Sequence, residues 1–133
     1  MPKMLLLFSH NLTEDQKEDA NTDLGVREFL ALPEELQNLW SNIPPTKPSL
    51  GDCLEPIRKW IKENANPKDY VLIQGDFGAT YSMVNYAFSV DLIPVYATTE
   101  RKVVEKQLSK NTVKTERIFQ HKMFRRYENG GRV

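Results

Sequence analysis

The chain is poor in the residues that make covalent or metal-bound scaffolds. It has one cysteine, Cys53, in 133 residues, so no disulfide can close within it and the fold must rest on packing. A lone cysteine also suits a reducing compartment. Its two histidines, His10 and His121, are far apart in sequence, and no zinc-ligand spacing exists, so no metal or other cofactor is expected. The longest purely apolar run, Met4 to Phe8, falls far short of the roughly 18 residues that a membrane helix needs. No basic segment followed by an apolar stretch and a small-residue cleavage site opens the sequence, so a cytoplasmic location and no membrane partner are expected. Internal repeats and low-complexity tracts are absent too.

Net charge is also lacking, with 18 basic and 18 acidic side chains. The balance conceals a division. Residues 1–100 carry 8 Lys+Arg against 15 Asp+Glu, net −7, and residues 101–133 carry 10 against 3, net +7. Segregation of this kind points to an anionic partner, or else to a solvated hairpin whose lysines discourage edge pairing.

What is present reads as one α/β domain over residues 1–133, too short for two ordinary domains. An α/β core is expected over 1–100, a basic hairpin over 101–127 and a frayed tail over 128–133. Met4–Phe8 is too uniformly apolar to have a wet face and suits the middle of a parallel sheet. Thr13-Glu14-Asp15-Gln16 has capping-box spacing, and Gly25 can close a helix over 14–23 in the left-handed conformation. Val26–Leu32 alternates as a strand and stops at Pro33, where a helix carrying Leu36, Leu39 and Trp40 on one face begins. Pro44, Pro45 and Pro48 break it. A third helix is expected over about 50–64, a strand over 70–74, a helix over about 79–90 and a strand over 92–97. Beyond Thr98–Arg101 the pattern changes to two hairpin strands, 102–108 and 113–127.

In open parallel sheets, ligands sit beyond the carboxyl ends of the strands. Three such ends are rich in polar groups: Ser9-His10-Asn11, Gly75-Asp76-Phe77-Gly78 with Ala79 and Thr80, and Thr98-Thr99-Glu100-Arg101. The second joins a strand to a helix through Gly-x-x-Gly, where free N–H groups and the helix dipole favour an anion. Gly75 and Gly78 can equally serve a tight turn and close helix packing. The turn lacks the Gly-x-Gly-x-x-Gly pattern, which argues against a dinucleotide. Asp76 would repel a phosphate, so it reads as a ribose acceptor or a helix cap. Imidazole exchanges protons near neutrality, which makes His10 a candidate acid or base beside a plain rim hydrogen bond. Ser9 lacks any triad signature and reads as a phosphate or hydroxyl contact. In a regular strand Thr115, Arg117, Phe119, His121, Met123, Arg125 and Tyr127 share one face, mixing cations with rings that can hold phosphates and stack bases, or pack Phe119 on the core with arginines in water.

Leu5-Leu6-Leu7-Phe8-Ser9-His10-Asn11-Leu12-Thr13, Leu36 to Pro45, Val71 to Tyr81, Ile93 to Arg101 and Arg117 to Tyr127 together resemble small CRISPR-associated proteins of the Csx type. The likeness covers nearly the whole chain. It implies a Rossmann-like, mainly parallel sheet flanked by helices, similar to the CARF domains that sense cyclic oligoadenylates in type III CRISPR antiviral defence. It also implies a homodimer with the messenger across the two-fold axis, and metal-independent cleavage of cyclic tetra-adenylate as in ring nucleases. The resemblance carries over no catalytic residue; from the chemistry of the residues themselves, His10 and Arg101 are expected to be catalytic, and Ser9, Asn11, Gly75, Asp76, Phe77, Gly78, Ala79, Thr80, Thr98, Thr99, Arg117 and His121 to bind the ligand. A sponge or sensor without turnover is the alternative, and direct binding of duplex DNA is not expected.

Overall fold

The computed structural model describes residues 1–130, so the last three residues of the expected tail lie outside it. The elements in chain order are β1 (Lys3–Leu7), α1 (Glu14–Leu24), β2 (Glu28–Ala31), α2 (Glu34–Ser41), α3 (Glu55–Asn64), β3 (Tyr70–Ile73), α4 (Phe77–Ser89), β4 (Ile93–Ser109) and β5 (Thr112–Arg126). Local chemistry sets most of their ends. Thr13 accepts from the Gln16 amide at 3.2 Å while the Gln16 side chain accepts from the Thr13 amide at 2.9 Å, a complete capping box. Gly25, at φ 71°, ends α1 in the left-handed conformation. Pro33 stands at the N-cap position of α2 without a side-chain cap bond, and Asp76 caps α4 by accepting from the Ala79 amide at 3.0 Å.

One five-stranded sheet runs in the order β2-β1-β3-β4-β5. The first four strands are parallel and β5 is antiparallel to β4, so the fold is α/β with a mixed sheet. The chain leaves β1 to one side to make β2 and returns on the other side at β3. Alternation along the strands builds two cores. Leu5, Leu7, Val71 and Ile73 pack with Trp40 of α2, Ile57 and Ile61 of α3, and Met83 and Ala87 of α4. Met4, Leu72, Val95 and Phe124 pack with Ala20 of α1 on the opposite face. Three helices thus cover one face and a single helix covers the other, which leaves Leu6, Phe8 and Phe29 of that second face only partly buried.

Three features depart from the sequence expectation, the first being that α3 starts at Glu55 rather than near residue 50, because residues 51–54 form turns. Thr98–Arg101 is not a break: β4 is one strand of 17 residues that serves the sheet with its first half and the hairpin with its second. The face expected along β5 is also divided. A register shift between Thr98 and Thr99 pairs Thr98 with Met123 but Thr99 with His121, which leaves Lys122 as an extra residue. Such a bulge reverses the alternation. Thr115, Arg117, Phe119 and His121 therefore face the α1 side with Phe124, whereas Met123, Arg125 and Tyr127 face the other side, where Tyr127 joins the core of α2 to α4.

Candidate functional site

Register places the ends of β1, β3 and β4 side by side. Leu7 lies opposite Ile73, the Gln74 amide donates to the Leu7 carbonyl at 3.0 Å, and the Gln74 side chain accepts from the Ala97 amide at 2.8 Å. The crevice between β1 and β3, where the strand order reverses, is closed by α2. Gln37 donates to the Phe8 carbonyl at 2.8 Å, and the Trp40 indole donates to the Gln74 carbonyl at 3.0 Å. Tyr127 adds a third donor, to the Ile73 carbonyl at 2.6 Å. Strand-end carbonyls that would otherwise face the crevice unpaired are satisfied by side chains from distant parts of the chain.

Open space lies instead over β1 and β2 on the α1 side. A cleft of about 750 Å³ has Leu6, Phe8 and Phe29 as its floor, with Ser9, His10, Asn11, Lys17, Glu34 and Gln37 around its polar rim. It exists because one helix is too narrow to cover that sheet face. The His10 ring stands edge-on to Phe8, 5.4 Å between centroids, and the Ser9 hydroxyl meets the Ser41 hydroxyl at 3.2 Å. All three residues of the Ser9-His10-Asn11 turn are exposed. Apolar floor, polar rim and one ammonium group suit a heteroaromatic ring that carries an anionic group.

The glycine turn is built differently from an open anion cradle. Asp76 already occupies the Ala79 amide and sets a carboxylate at the helix N-terminus. Gly75 is pressed against the indole: a Cβ there would lie 2.8 Å from Trp40 Nε1, whereas one at Gly78 would meet nothing closer than 3.5 Å. Close packing, the second reading of these glycines, accounts for Gly75. Phe77 is 95% exposed and Tyr81, one turn later, 74%, so two bare aromatic faces stand beside this turn. The Thr80 hydroxyl is buried without a hydrogen-bond partner among the described residues.

The remaining expected residues spread along the hairpin. Thr98 exchanges hydrogen bonds with the Met123 backbone at 3.2 and 3.3 Å, and Thr99 is exposed at the bulge. Arg101 lies over the Phe119 ring at 5.3 Å rather than beside His10, and Arg117 pairs opposite Val103, farther out. His121 turns to α1, where its Nε2 meets Asp19 at 2.7 Å and its Nδ1 is buried without a partner among the described residues. The structure thus groups Ser9, His10 and Asn11 in one cleft, Gly75 to Thr80 at the neighbouring turn, and Arg101, Arg117 and His121 on the arm. Lys17 and Gln37 are rim residues that the sequence reading missed. Nothing in the Leu-Gln-Asn-Leu-Trp stretch of residues 36–40 sets Gln37 apart from Asn38, so its place on the rim follows only from how α2 packs. Among the described residues no cluster of three or more His, Cys, Asp or Glu side chains could hold a metal ion, and no helix is long and apolar enough to cross a membrane.

No solved structure matches the chain. A curated protein, "Uncharacterized protein MJ1673" from Methanocaldococcus jannaschii, is 54% identical over 128 residues, covering 96% of this chain and 98% of that one. The model of the family described as "Uncharacterized protein MJ1673 family" matches residues 2–125. With near-complete coverage in both comparisons, the chain belongs to the MJ1673 family.

Proposed function

We propose that this protein is a CRISPR-associated ring nuclease, which binds cyclic tetra-adenylate at the strand ends and opens it without a metal, and so ends type III CRISPR signalling. The reading treats the sheet as a minimal Rossmann-like, CARF-like domain and the working unit as a cytoplasmic homodimer with the ring across its two-fold axis. The observation that carries it is the strand-end cleft, with an apolar floor for adenine and Ser9, His10, Asn11 and Lys17 at its rim. Bare Phe77 and Tyr81 at the adjacent turn offer further surfaces on which bases can stack.

In the proposed reaction a ribose 2′-oxygen bonds to the adjacent phosphorus as the bond from phosphorus to the 5′-oxygen breaks. His10 takes the 2′-hydroxyl proton or gives one to the leaving 5′-oxygen, and Ser9 and Asn11 orient the phosphodiester. Lys17 offsets charge on the phosphoryl oxygens. Asp76, at its turn, accepts from a ribose hydroxyl. Arg101 joins this set only if it leaves the Phe119 ring. That placement favours one second reading, a sponge or sensor that holds the messenger without turnover.

Incubation with excess cyclic tetra-adenylate separates the readings. An enzyme yields linear products beyond one equivalent, and a sponge protects the ring. His10→Ala is expected to slow cleavage by about 10²–10⁴-fold with binding retained. Cleavage at the parent rate would remove His10 from the chemistry, and absence of binding would remove the reading.

A further inference from the structure

The outer hairpin has a surface that its own chain does not cover. Every residue from 105 to 115 is exposed, and Val103, Val113 and Phe119 are 60%, 56% and 64% exposed on the face turned toward the α1 side. A two-stranded ribbon is marginal in water without a surface to pack on. Its charges are also unspent. Glu116 takes Lys106 and Lys114, and Glu100 takes Lys122, but Arg101, Lys102, Lys110 and Arg117 have no carboxylate within 4.0 Å among the described residues. The complementary surface is on the body. On α1, Glu14 is met by Lys17 and Asp19 by His121, while Asp15, Glu18 and Asp23 have no cation partner among the described residues. Asp15, Glu18 and Asp19 line a groove of about 410 Å³ at the base of the arm. The arm cannot fold back onto it, because both strands leave α1 at His121 and run outward. At about 3.4 Å per residue, Val113 stands roughly 27 Å beyond His121.

We infer that the arm is an interlocking element between two copies of this chain: its α1-side face packs on the same face of the partner's arm, and its basic tip lies on the partner's acidic α1. A two-fold axis near the Val103–Arg117 pair makes both contacts at once, since each arm then covers the other's Val103 and Phe119 while each Lys110 reaches the other's acid row. The contact is self-complementary and closed, as a stable dimer requires. Net charges of −7 on residues 1–100 and +7 on 101–133 are what an interface between unlike surfaces of like molecules uses, and they steer the encounter as well. An anionic polymer is the other occupant that the arm's charge would accept, but it leaves Phe119, Val103 and α1 unexplained.

The inference takes up the two-fold assembly of the functional reading and is tested apart from it. Sedimentation velocity on the full chain is expected to show a dimer that salt weakens. Lys110→Glu, and separately Asp15→Lys with Glu18→Lys, should each raise the dimer Kd about tenfold or more, as like charges set against each other do. Mixing the two variants should make both contacts unlike again, one native and one charge-reversed, and give a mixed dimer. As a readout independent of charge, Phe119→Ser should weaken the dimer at high salt as well, with an unchanged melting temperature at concentrations where the parent is monomeric. A monomer at all concentrations, a dimer indifferent to the arm variants, or arm variants that lose binding to a single-stranded RNA oligonucleotide but not the dimer would each overturn the inference. Loss of cyclic tetra-adenylate binding by a dimer that remains intact would instead count against the functional reading alone.

Discussion

Replacing Gly75 by alanine should damage the fold far more than the same change at Gly78, three residues away. A Cβ on Gly75 would lie 2.8 Å from Trp40 Nε1 and 3.0 Å from Trp40 Cε2, closer than side-chain carbons approach in folded proteins. The indole cannot retreat, because Trp40 is 2% exposed and its N–H is committed to the Gln74 carbonyl at 3.0 Å. Either the ring shifts and surrenders that hydrogen bond, or the turn moves and disturbs the β3 end. Overpacking of this kind costs about 1–3 kcal/mol, and a lost hydrogen bond adds roughly 0.5–1.5. At this chain length, about 4 °C per kcal/mol gives a fall in Tm of roughly 4–18 °C. At Gly78 the nearest atoms, Asp76 Oδ2 and Leu50 Cδ1, both lie at 3.5 Å, and alanine is the better helix former by about 1 kcal/mol. Gly78→Ala should therefore be neutral or stabilising. Thermal and urea unfolding of both variants, with tryptophan fluorescence to follow Trp40, decide the matter. A Gly75→Ala protein as stable as the parent, or a Gly78→Ala protein that is the worse of the two, would refute the packing account.

Other perturbations test the remaining long-range contacts. Burial pushes the Asp69 carboxyl up, but hydrogen bonds from the Lys3 ammonium and from the Asn66 and Lys3 amides outweigh it and hold it below its ordinary value. The folded state thus binds the Asp69 proton less readily than the unfolded chain. Its stabilisation is complete above the ordinary carboxylate range and is lost as pH falls through the lowered folded value. Asp69→Asn should flatten the acid limb of a stability–pH curve, and an unchanged limb would sink the assignment. Burial, helped by Tyr96, raises the Tyr127 phenol, so its contribution is intact below about pH 10 and fades as pH rises above that. Tyr127→Phe should lower stability by about 1 kcal/mol near neutrality through loss of the bond to the Ile73 carbonyl, measured by urea unfolding. Asp19→Ala leaves His121 buried beside α1 without its partner and should cost about 1–3 kcal/mol, with faster amide exchange at the base of the arm. Exchange confined to α1 would show that Asp19 does not anchor the arm.

Several elements were legible in the sequence because their causes lie within a few residues of each other. The capping box of Thr13 and Gln16, the left-handed Gly25, the apolar β1 run and the Asp76 cap all appear as read. The hairpin was legible as a hairpin. Its register was not, because one extra residue at Lys122 divides an otherwise regular alternation, and nothing in the local sequence marks where a bulge will form.

The sequence by itself determined where α1 begins and ends, how Asp76 caps α4, and how charge is divided along the chain. These follow from capping geometry and composition, both local properties. Only the tertiary structure decided that α2 seals the crevice between β1 and β3 with Gln37 and Trp40, that a single helix leaves the sheet open over Ser9, His10 and Asn11, and that His121 answers to Asp19 across 102 positions. Those outcomes depend on which faces meet when the sheet is assembled. A side chain's partner is then set by distance in space, which local pattern does not encode.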